Sequence, residues 1–202
     1  EIWLASGSAT EAWDALWEAG GPRGIRPAGI RALDVARVEA GLILIEAEYT
    51  SARHAISPEQ QYSPFEIGLG AFVDLAKPAF VGKRALELEG GRGGPGRRLV
   101  GLDLDWTGIE AMFTRHDLPP LVSALVHRDP VPVYKDGQQV GRATSITWGP
   151  TIKKMVAFGS LPPGLAEPGT RVSVEWSVEG ERGKVAATVV RLPFLDLERK
   201  RS

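Results

Sequence analysis

Residues 30–49 read IRALDVARVEAGLILIEAEY. The first half has helical spacing and predicts a helix over 29–40. Gly41 follows where a left-handed residue commonly ends a helix. LILIEAE, 42–48, then reads as an apolar strand. Glu39 sits at this helix-to-strand junction, between Val38 and Ala40. A buried carboxylate is costly unless donors meet it, so two readings stand. In one, Glu39 closes an internal ion pair with Arg31, Arg37 or Arg53. In the other it is a planar acceptor for a pair of N–H groups on a heterocycle, which two charge-assisted hydrogen bonds would hold strongly and directionally.

Working outward, EIWLA at 1–5 alternates like a strand, opening without Met, as from the middle of a larger protein. Ser8 and Glu11 form a possible capping box ahead of an amphipathic helix over 9–19. Its stripe of Trp13, Leu16 and Trp17 is expected to face a core. EIGLGAFVDL (66–75) reads as a strand and FVGKRALELEG (80–90) as a short helix. TSARHAISPEQQYSPF (50–65) is an irregular loop; Tyr49 and Tyr62 flank its enlarged part and either contact a substrate or pack the loop, with packing the favoured reading.

GRGGPGR (91–97) is Gly-rich and basic, and is the expected linker. Beyond it the periodicity changes to two. LVGLDLDW (99–106), two strands around Asp136-Gly137, MVAFGSL (155–161) and a pair around a turn at 180–183 imply a small antiparallel barrel or sandwich, with Trp176 in its core. The fold expected is therefore α+β. Residues 1–90 are the remainder of an α/β domain, and 98–202 are a small antiparallel β-barrel. The tail LERKRS is a charged end, expected to fray.

Composition narrows the function. The 202 residues are 43% hydrophobic and 24% charged, with a net charge of −1, so no strong field draws nucleic acid or an anionic membrane. No apolar run reaches the ~20 residues that span a bilayer. The absence of cysteine removes thiolate chemistry and fits a reducing compartment, the cytoplasm. His54, His116 and His127 lack ligand spacing, so no metal site is expected. GLG and GRGG lack the strand–turn–helix setting of a dinucleotide fingerprint.

With those residues in view, GIRPAGIRALDVARVEAG resembles the glycine-cleavage T-protein (aminomethyltransferase) pattern G-x-x-P-x-G-x-x-A-R-D-x-x-R-L-E-A-G. Pro27, Gly29, Ala32, Asp34, Arg37, Glu39, Ala40 and Gly41 fall in place. YSPFEIGLGAFVDLAKPAFVGKRAL and VGRATSITWGPTIKKMVAFGSLPP resemble the family's later motifs, and VVRLPF its closing strand. The resemblance implies tetrahydrofolate as cofactor and transfer of an aminomethyl or methyl group from a small-molecule donor. It gives Glu39 the role of holding the pterin and Lys77 a supporting role in folate binding.

Departures from the family pattern follow. The family's catalytic aspartate is expected upstream of Glu1, so an N-terminal portion or a partner chain would complete the site. The family's L-Y-G-x-E-L is LIEAEY here, before an enlarged loop at 50–63 nearer to that of folate-dependent demethylases. T-S-G-x-x-S-P has become TSITWGP, which puts Trp148 near the usual position of a small residue, either lining the pocket or filling the barrel. The family's C-terminal aromatic has no counterpart in LDLERK. The alternatives to a transferase are a non-catalytic folate-binding module and the folate domain of a larger oxidase or dehydrogenase.

Overall fold

The computed structural model describes residues 2–196, so the tail LERKRS lies outside the described residues. Strands stand where alternation and turn chemistry agree. β1 (Arg98–Leu104), β2 (Val131–Lys135), β3 (Gln138–Gly149), β4 (Lys154–Leu161), β5 (Arg171–Val178) and β6 (Glu181–Val190) close into an antiparallel barrel in the order β1-β4-β3-β2-β5-β6. Closure leaves no open sheet edge. Asp136 and Gly137 both take positive φ, 50° and 82°, as a two-residue hairpin needs. Glu179 and Gly180 do the same at 50° and 81°, so this turn is shorter than the expected 180–183 and β6 starts at Glu181.

Inward-facing Val172, Val174, Val178, Val185, Ala187 and Val189 fill the barrel with Leu102 and Leu104. Half-buried Trp176 packs against them as expected. Gly141 permits the closest strand approach, because a Cβ there would lie 2.2 Å from the Ser160 carbonyl oxygen.

A helix in the barrel half was not foreseen. α4 (Trp106–Thr114) begins where the expected strand ends. Asp105 caps it by accepting from the Thr107 and Gly108 amides, and Ile109 and Met112 enter the barrel core. Gly183 makes room, since a Cβ there would meet the Met112 sulfur at 2.5 Å.

The first ninety residues hold three α-helices, α1 (Ala9–Gly20), α2 (Ile30–Glu39) and α3 (Lys83–Gly91). Gly41 ends the second as expected, at φ 74°, with the Leu42 amide bonded back to the Arg37 carbonyl. The strands expected at 1–5, 42–48 and 66–75 do not form among the described residues. Ile45 makes only an isolated bridge to Tyr49, and Gly70–Phe72 is a 3-10 turn. A strand needs a ladder of backbone pairs, and these segments make only single contacts with the barrel strands, such as the Leu99 amide on the Glu66 carbonyl.

The same reason overturns the core reading of α1. Ser8 makes no side-chain cap, and α1 buries no residue. Trp13 and Trp17 are 59% and 44% exposed and stack on each other at 6.2 Å. The expected linker is anchored at its end. Arg97 donates to the carbonyls of Glu59 and Gln61 and lies 3.8 Å over the Tyr62 ring. Tyr62 in turn meets Tyr49 edge-on.

α2 is the element that joins the two halves. Its Val38 packs with Val156 and Phe158 on the outer face of the barrel, with Phe194, four residues beyond the end of β6, behind them. Burial of Val38 and Phe158 contributes about 1.5–3 kcal/mol for each side chain. This packing aims the C-terminal turn of α2, and so Glu39, at the β3–β4 connection.

Candidate functional site

Glu39 is 4% exposed. Its donors are not the expected arginines. Oε1 accepts from the Thr151 amide at 2.8 Å and the Ile152 amide at 3.3 Å, and Oε2 accepts from Thr151 Oγ1 at 2.8 Å. The carboxylate therefore closes the turn between β3 and β4 and makes no ion pair there. Gly149 is what lets it in, because a Cβ at that position would sit 2.9 Å from Oε1. A carboxylate offers roughly four lone-pair positions. Three are used, and the open one is on Oε2.

Glu39 also lines a cavity of about 550 Å³ between α2 and the barrel, with Arg31, Ser123, Trp148 and Thr151. A larger cavity of about 790 Å³ lies at the barrel mouth beside it, and Arg31, Ser123 and Trp148 line both. Trp148 stands between the barrel core and the cavities. Its ring stands edge-on to Trp106 at 5.2 Å and packs against the barrel core, while it walls the two cavities. The larger cavity adds Trp176, Met155 and His127 as walls and Glu175 as an acceptor. Glu175 is held in place by the Tyr134 hydroxyl at 3.1 Å.

Lys77 lies apart from these walls. It is exposed, lines neither cavity, and its carbonyl accepts from Lys83 Nζ at 2.6 Å. His54 is a surface residue facing Glu46 at 2.9 Å, as its polar loop suggested. Among the described residues no cluster of three metal-ligating side chains occurs.

The sequence reading overlooked a buried polar cluster next to Glu39. Glu48, in the expected strand, is 3% exposed. Its Oε2 accepts from Arg37 Nη1 at 2.9 Å and the Leu44 amide at 2.6 Å, and its Oε1 from Thr144 Oγ1 at 3.3 Å and from Ser145 Oγ. Arg37 Nη2 donates to Ser145 Oγ at 2.7 Å, and its Nε to Asp34 at 2.9 Å. Arg128 Nη2 reaches the other Asp34 oxygen at 2.8 Å. Burial alone would raise the Asp34 carboxyl, but the hydrogen bonds from Arg128 and Arg37 outweigh it and hold the group below its ordinary value. Ser145 is fully buried at φ 49°, on a bulge in β3, a conformation that costs a non-glycine residue about 1–3 kcal/mol. The signal available in the sequence was weak: two glutamates, Glu46 and Glu48, close an apolar run, and only the second is buried.

Among the described residues no helix is long and apolar enough to cross a membrane. The family model described as glycine cleavage T-protein C-terminal barrel domain matches residues 97–196, and that of the GCVT N-terminal domain matches 1–77. An aminomethyltransferase of Synechococcus sp. (strain CC9311) is 37% identical over 96% of this chain and 43% of its own length. One from Halothermothrix orenii is 33% identical over 96% of this chain and 46% of its own. The crystal structure of glycine cleavage system aminomethyltransferase T from Bartonella henselae superposes with a TM-score of 0.68 at 26% identity, covering 95% of this chain and 45% of that one. The chain thus spans less than half the length of the curated relatives it matches. With both family models matched in order along the chain and the barrel in place, the chain belongs to the glycine cleavage T-protein superfamily.

Proposed function

We propose that this chain is part of a tetrahydrofolate-dependent aminomethyl or methyl transferase, and that the seam between α2 and the barrel receives the folate. The observation that carries the reading is the meeting of Glu39 and Trp148 on one cavity wall, 109 positions apart in the sequence. The residues suit the group. Trp148 offers an aromatic face to a flat bicycle, and Glu39 Oε2 offers an open acceptor position. The 3.3 Å Ile152 contact is the weakest of the three on the carboxylate, so an N–H pair is accommodated by giving that contact up. Together the cavities fall in the range of small-molecule sites, roughly 300–1,000 Å³ each.

Tetrahydrofolate supplies the nitrogen that accepts or releases the one-carbon unit. The chain's own contribution is positioning. Glu39 fixes one edge of the ligand and Trp148 fixes its plane. The proton-handling carboxylate is expected on an upstream portion, in cis or on a partner chain. The apolar surface of residues 2–90, including Trp3, Trp13, Trp17, Phe72 and Val81, suits such a portion, and Lys77 keeps a folate contact only if that portion closes over it.

Titration calorimetry of the full-length protein with 5-formyltetrahydrofolate tests the reading. Saturable binding that weakens about a hundredfold in Glu39→Gln supports it, since Gln presents a donor where the ligand also donates. No binding, or equal affinity in both proteins, overturns it. Binding without one-carbon turnover would favour a non-catalytic folate-binding module.

A further inference from the structure

Glu48, Arg37, Thr144 and Ser145 line neither cavity, but Asp34 and Arg128, to which Arg37 is tied, line the larger one, so the cluster connects to its walls. All four lone-pair positions of the Glu48 carboxylate are used by Arg37, Leu44, Thr144 and Ser145, so it has nothing left to offer a ligand. Arg37 stands two residues before Glu39 on the same helix end. Its guanidinium is held on three sides, by Asp34, Glu48 and Ser145, and lies over the Phe158 ring at 5.9 Å. The Ser145 bulge also turns Ile146 so that its amide and carbonyl pair with His127 at 2.8 and 2.9 Å. That pairing, with Arg128 on Asp34, fastens the segment 121–129 that forms the opposite wall. A single set of contacts therefore sets α2, the end of β3 and the facing segment relative to one another.

We infer that Glu48 and Ser145 are positioning residues: through Arg37 they hold the end of α2 so that the Glu39 carboxylate stays on the Thr151 turn and at the cavity wall. A buried ion pair is a poor source of net stability, because desolvation offsets most of the attraction. What it does supply is a single geometry, since only one arrangement satisfies every donor. The non-glycine Ser145 at φ 49° fits that role, because its hydroxyl is the one group that both donates to Glu48 and accepts from Arg37.

The ligand arm of the test rests on the folate reading, and the exchange arm does not. In the ligand-free full-length protein, amide hydrogen exchange at Thr151 and Ile152, the backbone donors to Glu39, is expected to rise about tenfold in Glu48→Gln, with β5 and β6 amides unchanged. Unchanged exchange at Thr151 and Ile152 would overturn the inference, whatever folate does. For 5-formyltetrahydrofolate, Glu48→Gln is expected to weaken binding about tenfold in the wild-type background and under twofold in Glu39→Gln, because positioning acts only through the group positioned. Equal losses in both backgrounds would likewise overturn it. If the wild type does not bind, only the folate reading fails, and the exchange arm still decides. Should Glu48→Gln not fold, Ser145→Ala, which removes the bridging hydroxyl and leaves the charges, takes its place with the same expected results.

Discussion

Replacing Glu39 by Ala and by Gln separates what this carboxylate does for the fold from what it does for a ligand. Ala removes the acceptor for two contacts at 2.8 Å and one at 3.3 Å. Hydrogen bonds to a charged group contribute about 1.5–3 kcal/mol each. Thr151 is exposed, so water recovers part of what its amide and hydroxyl lose. Ile152 is half-buried, and its amide has no such recourse. The sum is on the order of 3 kcal/mol for Glu39→Ala, weighted toward the Thr151 amide and the Ile152 desolvation. At about 2–4 °C per kcal/mol for a chain of this size, Tm should fall by roughly 10 °C. In Glu39→Gln, Oε1 keeps both amides, and the Thr151 hydroxyl turns to accept from the new Nε2. The expected loss is then about 1 kcal/mol, from charge alone. Urea unfolding followed by circular dichroism, with m-values compared, reads both numbers. An Ala variant within about 0.5 kcal/mol of wild type would show that the turn does not depend on the carboxylate. A Gln variant as unstable as Ala would show that charge, not acceptor geometry, holds it. Either result refutes the reasoning.

Three further outcomes follow from the same coordinates. Asp34 has a depressed folded pKa, so its contribution is complete above the ordinary aspartate value of about 3.9 and is lost as pH falls through the lower folded value; acid unfolding of wild type should thus steepen in that window, and Asp34→Asn should flatten the dependence. Gly141→Ala should destabilise the barrel by about 3 kcal/mol, since the new methyl would meet the backbone of β4 at 2.2 Å and nothing flexible can yield, and a thermal melt unchanged from wild type would contradict the strand spacing. The amides of α1 should exchange quickly in the 202-residue chain alone and become protected when an upstream portion is present, by mass spectrometry of peptides spanning 9–20; equal protection in both states would remove that portion as the partner of the Trp13–Trp17 face.

The barrel was legible because its information is local. Alternation with period two and left-handed residues at 136–137 and 179–180 specify hairpins within about twenty residues of each strand. The first ninety residues carry apolar patterns just as regular, but a strand forms only where another strand pairs with it. The alternation at 2–5 and 42–48 reports what those faces are suited to bury, while the described residues leave Trp3 at 89% and Leu42 at 61% exposed. Helix α4 was masked for a different reason. LDLDW continues the strand alternation, in which Asp105 falls at a polar position, yet it is the cap that ends the strand's extension and begins a helix.

Glu39 shows where reading a site from sequence stops. Its need for donors followed from elementary electrostatics, and that much holds. The identity of the donors does not follow from the sequence, which displays charged side chains near in the chain but not a backbone turn far along it. The turn that meets it comes more than a hundred residues later, and two of its three donors are backbone amides, which no composition or spacing reveals. Glu48 is the converse. Its charge suggested the solvent side of a strand, but Arg37, two hydroxyls and a backbone amide converge on it, and convergence from α2 and β3 is a property of the folded seam. The two glutamates, nine positions apart, are both buried and both fully supplied with protein donors, except for one open position on Glu39 Oε2. That single vacancy is the physical difference on which the proposed ligand role of Glu39 and the inferred positioning role of Glu48 both rest.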